Sequence, residues 1–344
     1  MPGDSGQPIF IVGTPRSGTT LTAKILGRHS RLFMPGETHF LDDVYSRAAQ
    51  LGDPGDGTVR LEIARRLHSI YDRFYEQEDQ QRISRLFPRV KDLEEALDGC
   101  TSYGMILDRF MALQMQAEGK SRWGNNAPRD LFSVSEIREF FPDVKLVVCV
   151  RDIRAFLYSY KGKWKISSGA GDEQVIRLRK LYHPVVTSYL WKSSMQQLPL
   201  LEDLVPAADR IIVRYEDLVS NPEDTVNRIC AMIGEEYEPD MLSVEGHNSS
   251  TATEARGIFA SSVDRWKTEL SQEEIAISQK IAGGLLHRLD YDEVPVHAGR
   301  VKLLGLWMST PFALWRALKA NKETRGPLLP YLFRRVGTLL GLNR

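Results

Sequence analysis

Cysteine, net charge and long apolar runs are all scarce in this chain of 344 residues. The three cysteines, Cys100, Cys149 and Cys230, are far apart and form no C-x-x-C pair, which argues against a disulfide framework or a zinc site. Cys149 lies in an apolar run and reads as core. Lys plus Arg equals Asp plus Glu at 45 each, so no global field points to nucleic acid or to an anionic surface. The histidines His29, His68, His183, His247, His287 and His297 have no metal-ligand spacing, and no metal is expected. The first apolar run starts by Ile9, too early for a signal peptide, and Leu303 to Trp315 is too short to span a bilayer. A cytoplasmic protein is therefore expected. Internal repeats and low-complexity segments are also missing.

What is present begins with IFIVGTPRSGTTLTAKILG. Four β-prone residues, Ile9 to Val12, run into a turn with Gly13 and Gly18 at its ends, and a helical pattern starts at Thr19: strand, phosphate loop, helix. Such a loop wraps an anion with backbone N–H groups at the positive end of a helix dipole. The glycine spacing is that of a nucleotide triphosphate loop, G-x-x-x-x-G-K-[ST], but Thr19 stands where the lysine would be. Positive charge has moved inside the loop, to Arg16, whose planar fork suits bidentate phosphate contact.

Further along, Phe40 to Glu118 reads as helical, interrupted at Gly52 to Gly57 and at Pro88, with Leu61, Ala64, Leu67, Ile70, Tyr71 and Phe74 on one face. A helix stopped at Pro142 then feeds KLVVCV, Lys145 to Val150, an apolar run suited to a strand buried on both faces. RIIVRY, Arg210 to Tyr215, is a third strand candidate, and Asn221 and Pro222 open a helix that stops at Gly234. The expected fold is α/β, a doubly wound central parallel sheet flanked by helices, with ligands at the carboxyl ends of the strands.

Together, PRSGTT and a strand running into R-D-x-R with a serine eight residues after the first Arg resemble the sulfotransferases that use 3′-phosphoadenosine 5′-phosphosulfate (PAPS). The likeness also covers RYEDLVSNP and SSVDRWK, and spans roughly Ile9 to Leu289. It implies a P-loop-like sulfotransferase fold with helical insertions and a helical carboxyl-terminal tail. It further implies that Arg16, Ser17, Gly18, Thr19 and Thr20 hold the 5′-phosphosulfate and Arg151 and Ser159 the 3′-phosphate. The resemblance also implies that Tyr215 and Trp266, in the two remaining segments, complete the nucleotide site. A 3′-phosphate is what separates PAPS from ATP, and an Arg-plus-hydroxyl pocket would give it charge-assisted bonds. The ordinary alternative for Arg151 is a structural ion pair with Asp152 or another acid.

Sulfuryl transfer still needs a base for the acceptor hydroxyl. Glu37, in FMPGETHFLDD, matches the glutamate that serves as base in tyrosylprotein sulfotransferases, with His39 as runner-up. One position departs from the family. Many relatives carry a lysine before a Thr-Pro or Asp-Pro pair, where it neutralises the departing group, and here WGNNAPRD puts Asn126 there. Arg129 or Lys24 could supply that charge, or Asn126 donates as a neutral group. The resemblance implies no metal, product 3′,5′-bisphosphate (PAP), and a hydroxyl acceptor on a lipid, glycan or small metabolite. The competing readings are a P-loop nucleotide kinase and a non-catalytic nucleotide-binding protein. The first is disfavoured by the absent lysine, and the second stays open because of Asn126.

Residues 1–295 are expected to form the catalytic domain, with a helical insertion at about 40–118, and 296–344 a basic amphipathic extension. From Val296 on there are nine Lys or Arg against one acid, Glu323. Short helical patterns broken by Pro311, Pro327 and Pro330 suit either peripheral contact with a membrane or packing on the body or on a second subunit.

Overall fold

The computed structural model describes residues 6–74, 77–162, 181–244, 258, 260 and 263–325. Two compact units emerge: Met1–Cys149 with Leu201–Val213 and Pro222–Val244, and Val150–Leu200 with Arg214–Asn221 and Glu245–Arg344.

The first unit is organised by a five-stranded sheet of β1 (Ile9–Gly13), β2 (Leu32–Phe33), β3 (Arg122–Asn126), β4 (Lys145–Val150) and β5 (Arg210–Arg214), in the order β2-β3-β1-β4-β5. β1 pairs in parallel with both β3 and β4, and β2 with β3. Every residue of β1 is buried, as an apolar central strand covered on both faces must be. α1 (Thr19–Gly27) follows the glycine loop, and α2 (Gly57–Phe74) buries Ile63, Ala64, Leu67 and Ile70. The expected helix after Pro222 is α3 (Pro222–Ile233), which ends at Gly234 with φ 79°. Cys149 is core as expected: it is 1% exposed, and burial pushes its thiol up to about 12.

β2 and β3 are not evident in the sequence. RWGNN has no β-branched residue, yet all five of its residues are buried. The tertiary reason is pairing with β1 on one side and β2 on the other. At Gly124 the Met34 side chain packs where a Cβ would lie, 2.4 Å from its Sδ, with Ile9 O at 2.9 Å. Arg122 is anchored by Glu235 at 3.1 Å and by the Ile233 carbonyl at 2.6 Å.

In the second unit, Arg151 follows β4 in the chain and leads into α4 (Ile153–Lys161). α5 (Pro184–Met195), α6 (Gln272–Ala282) and α7 (Arg300–Arg325) pack beside one another. The expected break at Pro311 does not occur: α7 runs through it. The proline lies on the exposed side of α7, where water can replace the backbone hydrogen bond it removes. Pro327 and Pro330 lie outside the described residues.

A buried polar chain links β3 to the segment after β2. Thr38 Oγ1 donates to Asn125 Oδ1 at 2.8 Å, and Asn125 Nδ2 donates to Asp130 Oδ2 at 2.8 Å. Burial, with the negative charges of Asp42 and Glu37 nearby, holds the Asp130 carboxyl well above the usual range. Above the unfolded-chain pKa of about 4, the unfolded state releases this proton while the native state keeps it, so stability falls as pH rises toward the native value. Asp130→Asn removes that cost. The variant should gain stability over wild type at about pH 6 and lose the advantage at about pH 3, which urea denaturation at both values will check.

Candidate active site

The phosphate loop owes its path to two backbone constraints. Gly13 has φ 149°, and a Cβ there would lie 2.2 Å from the Cys149 carbonyl oxygen, so β1 can leave the sheet here only as glycine. Arg16 at φ 75° and Gly18 at φ 90° then turn the chain through the left-handed region. For Arg16 this costs on the order of 1 kcal/mol, strain of the kind that collects at ligand loops. α1 starts directly behind the loop, with no acid in its first turn, so nothing there competes for an anion. Thr14 Oγ1 and Ser17 Oγ are buried and make no hydrogen bond among the described residues. Two hydroxyls left so, in a loop that ends on a helix N-terminus, suit an oxyanion. Thr19 is buried at the start of α1 and Thr20 is exposed beside it.

β3 brings a second group to this end of the sheet. Asn126 pairs with Ile11, two residues before Gly13; it is 3% exposed, and its Oδ1 has no hydrogen bond among the described residues. Of the two cations considered as substitutes for the family lysine, Lys24 is exposed in the last turn of α1, at the far end from the loop. Arg129 pairs with Asp42 at 3.0 Å.

Glu37 sits on a turn pinned from both sides. Asp79 Oδ2 accepts from the Gly36 N–H at 3.1 Å, and Thr38 is held by Asn125. His39 adopts φ 51°, and its Nε2 lies 3.7 Å from Glu37 Oε2, both side chains being partly exposed. The two candidate bases are therefore neighbours, and the helical region contributes the carboxylate that holds their turn.

In the second unit, the Arg151 guanidinium stacks on the Tyr215 ring at 4.1 Å, and its carbonyl accepts from Trp191 Nε1 at 2.8 Å. The Asp152 carboxylate caps α4 and pairs with Arg154 at 2.6 Å. Glu216 is the acid whose charge couples to Arg151. Its carboxylate accepts from the Asp152 N–H at 3.2 Å and from Tyr291 Oη at 2.8 Å, and burial raises its pKa against the pull of Arg151. Ser159 is buried on α4, two turns from its start. Trp266 is buried under Arg154, whose guanidinium lies 4.2 Å from its ring centroid. Ser261 and Ser262 of the same segment lie outside the described residues.

Sequence reasoning missed Thr14, Asn125, Asp130 and Glu216. Polar residues in ordinary loop or helix-start contexts carry no sign that tertiary folding will bury them. Among the described residues, no group of His, Cys, Asp and Glu could hold a metal ion. No helix there is long and apolar enough to cross a membrane.

Comparison with known proteins bears on this arrangement. Nodulation protein NoeE of Sinorhizobium fredii is 22% identical over 309 residues, covering 84% of this chain and 67% of its own. Protein-tyrosine sulfotransferase 1 of Danio rerio is 24% identical over 260 residues, covering 75% of this chain and 60% of its own. Among solved structures, the sulfotransferase domain from the curacin biosynthetic pathway superposes with a TM-score of 0.53 at 21% identity, over 84% of this chain and 99% of that one, a likeness of fold. A family model described as Sulfotransferase family matches residues 8–239, which include the phosphate loop, the Glu37 turn, β3, Arg151 and Tyr215. The chain belongs to the sulfotransferase family.

Proposed function

We propose that this protein transfers the sulfuryl group of PAPS to an acceptor hydroxyl, with Glu37 as general base. The observation that carries the reading is the loop itself: a left-handed Arg16 and two buried hydroxyls, Thr14 and Ser17, without hydrogen bonds among the described residues, and no lysine after Gly18. That donor set fits the sulfate-bearing 5′-phosphate of PAPS better than a triphosphate, whose outer oxygens need the missing cation.

In this scheme the loop N–H groups, Ser17 and Arg16 hold the 5′-phosphosulfate, and Arg151 and Ser159 hold the 3′-phosphate. Tyr215 orients Arg151 by stacking, and Trp266 buttresses the neighbouring Arg154. Bound PAPS supplies an activated sulfur. Glu37 takes the proton of the acceptor hydroxyl as its oxygen bonds to that sulfur, and the sulfur–oxygen bond to phosphate breaks to release PAP. Asn126 donates a neutral hydrogen bond to the departing side, where a full positive charge would stabilise more. The acceptor is a hydroxyl of a lipid, glycan or small metabolite. Asn126 also favours one second reading, a protein that binds PAP without turnover.

Four outcomes test the scheme. Calorimetry without magnesium should give micromolar-range binding of PAP and far weaker binding of ATP. Arg151→Ala should weaken PAP by about a hundredfold, the loss of charge-assisted bonds of roughly 1.5–3 kcal/mol each; magnesium-dependent preference for ATP would return the loop to the kinase class. In PAPS turnover against a panel of hydroxyl acceptors, Glu37→Gln should lower kcat by roughly 10² to 10⁴ and leave PAP affinity within about twofold. A larger loss in His39→Ala than in Glu37→Gln would move the base to His39. Asn126→Ala should lower kcat by roughly 10², and wild type that binds PAP but turns over no PAPS would support the binder instead.

A further inference from the structure

α7 has two apolar faces, and among the described residues only one of them is covered. Leu303, Leu306 and Trp307 pack against the buried cluster of Val185, Ile277 and Ile281, Ala313 is 3% exposed, and His183 Nε2 meets Ser309 Oγ at 3.0 Å. That face anchors the helix to its unit. On the other side Val301, Leu304, Met308, Phe312 and Trp315 are 85, 61, 72, 60 and 56% exposed. Their spacing of three, four, four and three places them within an arc of about 80° on a helix that turns 100° per residue. The stripe is about 20 Å long. Bulky apolar side chains aligned in this way mark an interaction surface, unlike isolated exposed ones.

Charge selects the occupant. Arg300 and Lys302 open the helix, and Arg316 and Lys319 flank the aromatic end, their cationic groups 5.1 Å from the Phe312 ring and 5.6 Å from the Trp315 ring. Apolar rings beneath cationic heads match the boundary between acyl chains and anionic headgroups. The following residues 326–344 continue the composition in sequence, with Tyr331, Phe333 and three arginines and no acid. A second copy of the chain would instead bring the same positive charges against themselves. No described helix can cross a bilayer, so a bound α7 would lie in the plane of the surface.

We propose that the outward face of α7 docks this protein on an anionic lipid surface. The test is sedimentation of the full chain with vesicles of equal parts phosphatidylglycerol and phosphatidylcholine, and with phosphatidylcholine alone. Binding to the anionic vesicles should exceed binding to the neutral ones by at least about tenfold and decline with added salt. The triple variant Met308→Glu, Phe312→Glu, Trp315→Glu should lose about tenfold or more of that binding at an unchanged melting temperature. Arg316→Glu with Lys319→Glu leaves the apolar stripe in place and should lose the preference for anionic vesicles. Wild type that sediments no better with anionic than with neutral vesicles overturns the proposal, as does binding that both variants retain. A dimer by light scattering that the triple variant converts to monomer, without vesicle binding, would assign the face to a second copy.

Discussion

The carbonyl oxygen of Cys149 lies where any side chain at position 13 would have to be. β1 and β4 are in register there, Gly13 opposite Cys149, so β1 must end in a residue without a Cβ. From this one steric condition the loop acquires its path, because a chain leaving the sheet at φ 149° has to turn back through left-handed residues before α1 can begin. The buried Thr14 and Ser17 hydroxyls, the strained Arg16 and the helix N-terminus are brought together by that path. A sheet of parallel strands supports such a loop because its strands end on one edge.

β3 performs a comparable service for the Glu37 turn. Its Gly124 leaves room for the Met34 side chain, and its Asn125 ties down Thr38. Asp79 holds Gly36 from the helical region. A carboxylate fixed on a turn with both neighbours pinned loses little further freedom when it engages a hydroxyl, which is the economy expected of a preorganised base. Asp130 completes the support at a cost, because a buried carboxyl among other acids must keep its proton or forfeit stability.

The second unit handles charge in a different way. Asp152, the acid beside Arg151 in sequence, pairs with Arg154 and caps the start of α4, while Arg151 rests on the Tyr215 ring. Stacking on an aromatic face orients a guanidinium. Glu216 is itself held by Tyr291 and a backbone N–H, which limits how strongly it competes.

Local chemistry made much of this protein legible. Ile9 to Val12 and Lys145 to Val150 read as buried strands because an apolar β-prone run has few other places to go. The phosphate loop was readable from two glycines and a displaced positive charge, and α3 from Asn221, Pro222 and Gly234. Other features depended on long-range approach. RWGNN does not resemble a strand, and is one through its parallel pairing with β1 and β2, segments far from it in the chain. Pro311 reads as a helix end, yet α7 continues through it with the proline ring exposed and the covered face packed on Val185, Ile277 and Ile281. Residue type and spacing alone determined the anion-binding loop, the family resemblance and the basic tail. Only tertiary structure decided that Asn125 and Asp130 support the Glu37 turn and that one face of α7 is covered by Val185, Ile277 and Ile281, because burial arises from segments far apart in the chain.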